Sequence, residues 1–277
     1  MRLFLISLPI ALLFLWPDLA EQLDFARPPR FLAIPANGLG YMCVFFHEIG
    51  HSISYWLYGY PSLPTFDFQD GGGMTYGGAR IGPLLWAAWL GMAAAGVWLW
   101  RHWHYGAFAV LGLFALAHAA TALTEGHHNV IGYMGHGGEI LIGGFCLVRA
   151  GLGAHDTKYG ELERWLNAVF GLYTFGRNLI MSFGLAFSDL SRAAYAQQKK
   201  NGHIQSDFTR LAEDLHVKMQ SVAWFSISFT LAVFILAVVL IYIGRRQEEE
   251  EPEVMRPRLR PSSSGGTPPV SSEPTQD

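Results

Sequence analysis

Seven stretches of this chain carry few charges and many Leu, Ile, Val, Phe, Trp and Ala: residues 3–19, 38–58, 81–100, 106–124, 137–152, 165–187 and 221–243. A helix needs about 20 mostly apolar residues to cross the hydrocarbon of a bilayer, and most of the stretches approach that length. Ser221 to Ile243 contains no charged residue at all. Residues 137–152 are short and Gly-rich, the pattern of a tilted, broken or re-entrant helix. The pattern predicts an all-α, multi-pass integral membrane protein with about six to seven transmembrane helices. Met1-Arg2 ahead of Leu3 to Trp16 resembles a secretory signal, but Pro17-Asp18-Leu19-Ala20 makes a poor cleavage site, so an uncleaved first helix is expected.

The pattern changes between residues 60 and 80, "YPSLPTFDFQDGGGMTYGGAR". Phe66, Asp67 and Phe68 alternate, Asp70-Gly71 is a turn signal, and Met74, Thr75 and Tyr76 return. Asp-Gly between β-prone residues predicts a short β-hairpin just after the second apolar stretch. The membrane domain is expected to span 1–244. Residues 245–277 begin with Arg245-Arg246, run through Glu248 to Glu251 and continue rich in Pro, Ser, Gly and Thr, a composition unable to bury a core. The loop 188–220 carries Arg192, Lys199, Lys200, Arg210 and Lys218, so basic residues flank the last span on both sides and assign no orientation.

Composition sharpens this only a little. The chain is 51% hydrophobic and 15% charged, apolar for a soluble domain. The net charge of −3 is too small to say anything about nucleic acid, but no basic stripe with interleaved aromatics appears, so no nucleic-acid partner is expected. Cys43 and Cys146 lie inside apolar stretches, as small helix residues do.

The chemistry is concentrated in "FFHEIGHSISYW", residues 45–56. His47 and His51 are i and i+4, so on a helix both imidazoles project from one face and reach one metal ion. Glu48 stands beside the first of them without being a ligand. This is the H-E-x-x-H arrangement of zinc hydrolases. Zinc lowers the pKa of bound water and polarises a scissile carbonyl, while Glu48 acts as general base, passing a proton to the leaving amine. Ionisable groups within an apolar span are costly and mark function.

A catalytic zinc needs a third protein ligand. Glu139, a lone acid amid glycines in "GYMGHGGEIL", is the first candidate. His118, alone in its apolar stretch, and His136, three residues before Glu139, are alternatives. Glu125, His127 and His128 read as a loop cluster. Arg177 and Asn178 fall in the middle of 165–187, where a buried arginine needs a carboxylate partner or stabilises an oxyanion, and both are candidates for positioning substrate.

"FFHEIGHSISYWLYGYPSL" followed by "FDFQDGGGMTYGGARIGPLL", over roughly residues 41–95, resembles the site-2 protease-type intramembrane metallopeptidases and their short bacterial relatives. The resemblance implies zinc on His47 and His51, catalysis by Glu48, and a multi-pass protein of a bacterial inner membrane. It also implies a membrane protein or membrane-proximal peptide as substrate, within the lipid bilayer. That family takes its third ligand from an aspartate in a later helix. No later apolar stretch of this chain holds an aspartate, and Glu139 can substitute chemically. A Gly-rich hairpin follows the motif in that family too, and a strand there can hold an unwound substrate by β-addition, which makes Phe68 a candidate substrate contact.

Three other readings remain open at this stage. A zinc transporter also uses H-E-x-x-H, and the chain has His128-Asn129, but Ile49-Gly50 fill the gap where such carriers place proline. A catalytically inactive peptidase-like scaffold would keep the fold alone. A di-iron hydroxylase needs clustered histidine boxes, which are absent.

Overall fold

A computed structural model describes residues 2–23, 29–67, 72–153, 160–197 and 206–250. These residues are mostly helical, with one two-stranded antiparallel sheet. In chain order they form α1 (Arg2–Phe14), α2 (Trp16–Leu23), α3 (Arg30–Leu57), β1 (Ser62–Asp67), β2 (Gly72–Gly77), α4 (Gly82–Arg101) and α5 (Tyr105–Ala122). Then follow α6 (Gly126–Leu152), α7 (Gly160–Phe187), α8 (Asp189–Gln197), α9 (Asp207–Asp214) and α10 (Met219–Glu250). Four of them, α4, α5, α6 and α10, are long and apolar enough to cross a membrane.

Several boundaries differ from the sequence reading. The stretch 3–19 is two helices, α1 and α2, because Pro17 has no N–H to offer and crowds the preceding turn. α6 starts at Gly126, so Glu125, His127 and His128 belong to a helix start, not a loop. α10 runs on to Glu250, past the expected boundary at 244, and the rest of the tail lies outside the described residues. The hairpin is present in register Ser62↔Gly77 to Asp67↔Gly72. Phe68 and the Asp70-Gly71 turn lie outside the described residues.

The core forms where α6 packs against α3, α7 and α10. Ile140, Leu147, Phe175 and Ala237 fill one side, and Leu15, Cys43, Cys146, Phe170 and Tyr173 the other. Glycine sets the closest approach. A Cβ on Gly50 would lie 2.1 Å from the Met134 carbonyl oxygen, and one on Gly138 would lie 2.7 Å from the Gly50 Cα. The two backbones touch there, as small residues permit. The glycine inside H-E-I-G-H therefore serves packing, and it turns the histidine face of α3 onto α6.

The α4–α5 pair attaches at the edge. His118 accepts from the Trp89 indole at 3.0 Å and donates to the Leu57 carbonyl at 3.0 Å, while stacking on Tyr58. Both of its nitrogens are thus spent on joining α4 and α5 to the end of α3. Arg80 adds bonds to the Tyr58 and Ala122 carbonyls.

Candidate metal centre

Nε2 of His47 and Nε2 of His51 lie 3.1 Å apart. The carboxylate that meets them is Asp207, whose Oδ2 is 2.7 Å from the first and 3.2 Å from the second. A tetrahedral ion with bonds of about 2.0–2.1 Å has donor–donor edges of about 3.3 Å, so the three atoms stand close to the face of such a site. These residues form a group able to hold a metal ion.

The opposite nitrogens explain why the lone pairs point inward. His47 Nδ1 donates to Glu139 Oε1 at 2.9 Å, and His51 Nδ1 donates to the Ile131 carbonyl at 2.7 Å. With both protons on Nδ1, two nitrogen lone pairs and a carboxylate oxygen crowd together and repel. One proton can bridge only one edge of that triangle, whereas a cation at its centre satisfies all three. Histidine ligands are characteristically oriented by such outer partners. Burial would raise the Asp207 carboxyl, but when the imidazoles instead carry a second proton, their charge, that of His47 first, outweighs it and holds the group well below the usual carboxylate range.

Gly135 supplies the remaining wall. A Cβ there would stand 2.4 Å from both Nε2 atoms. The helix crossing at Gly50 and Gly138, one turn on, brings this bare stretch of α6 against the histidines.

Asp207, not Glu139, His118 or His136, therefore faces the paired nitrogens. Glu139 lies behind His47, and its Oε2 accepts from Asn178 Nδ2 at 2.9 Å. Asn178 is fully buried and also bonds the Thr174 carbonyl, so it orients Glu139 and has no open face toward a substrate. Arg177 sits in the field of Glu139 and Asp18, offering countercharge to both. His136 is buried edge-on to His47, with Nδ1 4.0 Å from Glu139 Oε1. At the N-terminus of α6, His127 bonds the Thr124 carbonyl and the Tyr60 hydroxyl, and His128 pairs with exposed Glu125 at 3.4 Å.

Glu48 is buried, and its Oε2 accepts from the Thr75 hydroxyl at 2.8 Å. The same hydroxyl lies 3.0 Å from the Glu48 carbonyl. A Cβ on Gly73 would sit 2.4 Å from Glu48 Cγ, so only glycine lets β2 lie on this side chain. The hairpin is further tied to α3 by Trp56 donating to the Ser62 carbonyl and by the Phe45–Phe66 ring pair.

Asp207 was missed in the sequence because it belongs to no apolar stretch. It is the first residue of α9, after Ser206 in extended conformation. Its one signal is an acid in the first turn before Phe208, Leu211 and Ala212 at i, i+3, i+4 spacing, which describes any small amphipathic helix.

No family model matches this chain, and no curated protein or solved structure compared with it does either.

Proposed function

We propose that this protein is a multi-pass, membrane-embedded zinc metallopeptidase of the site-2 protease type, hydrolysing peptide bonds at or within the bilayer. The observation that carries the reading is the convergence of His47 Nε2, His51 Nε2 and Asp207 Oδ2, with Glu48 buried one residue after the first of them. The donor set suits zinc: two imidazole nitrogens and one carboxylate oxygen, the three protein ligands of a catalytic site. Bound there, zinc supplies an activated water and a Lewis acid for the scissile carbonyl.

The chain's own residues do the rest. Glu139 and the Ile131 carbonyl hold the two imidazoles in the ligating tautomer. Glu48 takes the proton of the attacking water and delivers it to the leaving amine, and Thr75 holds its carboxylate on the hairpin side. Glu48, His51 and Glu139 are buried, and the low local dielectric of a buried site strengthens each of these interactions.

The membrane setting is supported by α4 and α5, whose Leu90, Leu113 and Leu116 are 67%, 69% and 71% exposed. Side chains of that size stand open without penalty in lipid. Six full crossings are inferred, on α3, α4, α5, α6, α7 and α10; α1, at 13 residues, spans about 20 Å.

The test is zinc content and cleavage in parallel. Detergent-purified wild type should carry one zinc, Asp207→Ala should lose it, and Glu48→Gln should keep it. In proteoliposomes with a panel of tagged single-span peptides, wild type should cleave and Glu48→Gln should not. Zinc retained by wild type with zinc flux across the vesicle and equal flux in Glu48→Gln would favour the transporter instead.

A further inference from the structure

We propose that His136 and Phe208 form a positioning pair that seats the third metal ligand, a role resting on the zinc reading of His47, His51 and Asp207. Phe208 follows Asp207 directly and is fully buried. Its ring meets that of His136 edge-on, with centroids 4.7 Å apart and planes at 68°. His136 in turn meets His47 edge-on at 4.6 Å and 83°. Tyr133 at 6.4 Å and Tyr195 at 6.0 Å back Phe208 from α6 and α8. An aromatic column thus runs from the anchor of α9 to the first metal ligand on α3.

The column matters because α9 has only eight residues. A helix that short is not held by its own hydrogen bonds. Where Asp207 Oδ2 stands relative to the two imidazoles is set by what Phe208, Leu211 and Ala212 pack against. His136 lies between the two ligand-bearing elements and sets their spacing. Its buried Nδ1 has no hydrogen-bond partner among the described residues, so what joins it to the two ligand-bearing elements is the packing of its ring. Orthogonal ring pairs are favourable and directional, so a wedge of this kind specifies a distance as well as filling space.

A rival role for His136 is direct ligation, since His47, His136 and Glu139 also form a group able to hold a metal ion. Phenylalanine at this position separates the two, because it keeps the ring and cannot ligate. Zinc affinity is measured by chelator competition in detergent for wild type, His136→Phe, His136→Ala and Phe208→Ala, with the visible spectrum of the cobalt-loaded forms reporting coordination geometry. The expected result is His136→Phe within about threefold of wild type with an unchanged cobalt spectrum. His136→Ala and Phe208→Ala should bind about 10- to 100-fold more weakly, with altered spectra. Loss of metal in His136→Phe as complete as in His47→Ala would make His136 a ligand and overturn the proposal. Wild-type affinity in both alanine variants would also overturn it, while leaving the zinc reading intact. A wild type that binds no zinc would remove the zinc reading and this proposal together.

Discussion

Replacing Gly135 by alanine adds one methyl group and removes no ligand, yet it should severely weaken metal binding. The new Cβ would stand 2.4 Å from His47 Nε2, 2.4 Å from His51 Nε2 and 2.5 Å from His47 Cε1. Ordinary contact between such atoms is about 3.5 Å, so each imidazole must retreat by about 1 Å. Metal–ligand distances tolerate only about 0.2 Å of error. The displacement is therefore about five times what the site can absorb, whichever side of the nitrogen pair the ion takes. Two of three donors are affected, so a loss on the order of 100-fold or more in affinity is expected, at or beyond the upper end of single outer-shell changes. Propensity pulls the other way, since alanine favours a helix over glycine by about 1 kcal/mol. The protein should therefore still fold, at a strain cost of about 1–3 kcal/mol. Gly132, one turn earlier on α6, is the matched control, because a Cβ there meets nothing within 4 Å. Zinc per molecule and competition with a chelator are the assay, with thermal unfolding of the metal-free proteins to confirm folding. Stoichiometric zinc at wild-type affinity in Gly135→Ala would refute the placement of the ion between these nitrogens.

Other substitutions separate the roles. Asp207→Asn keeps the shape of α9 but weakens the third donor, so zinc affinity should fall by on the order of 100-fold or more, while Glu139→Gln, which only orients His47, should cost about 10- to 100-fold; equal losses would mean that both carboxylates ligate. Gly73→Val drives a side chain into Glu48 Cγ, 2.4 Å from the new Cβ, and should suppress peptide cleavage while leaving zinc content at one per molecule; unchanged cleavage would show that β2 does not govern Glu48. Gly50→Leu puts a Cβ 2.1 Å from the Met134 carbonyl oxygen, forces α3 and α6 apart, and should lower both thermal stability and zinc retention; retention of both would contradict the close crossing. His118→Ala removes the bonds to Trp89 and Leu57 and should destabilise the fold by about 1–3 kcal/mol in detergent unfolding without changing zinc affinity; a loss of zinc would return His118 to the ligand set.

What could be read along the chain is what depends on near neighbours. The apolar stretches, the strand alternation of 66–68 and 74–76, and the i, i+4 pair of His47 and His51 are all local patterns, and helical periodicity alone puts the two imidazoles on one face. Tertiary structure decided the rest. Glu139 looked like a ligand because it is an acid in an apolar helix. The crossing of α3 and α6 at Gly50 and Gly138 sets it against the outer nitrogen of His47 instead. His118 looked like an alternative until the approach of α4 and the end of α3 consumed both its nitrogens. Asp207, 156 residues from His51, had no distinguishing sequence signal, since its helix start looks like any other. Spacing on one helix determines which side chains share a face, but which carboxylate meets that face depends on how separate helices cross and where a short helix is anchored. Those are properties of packing between distant segments, and no local pattern carries them.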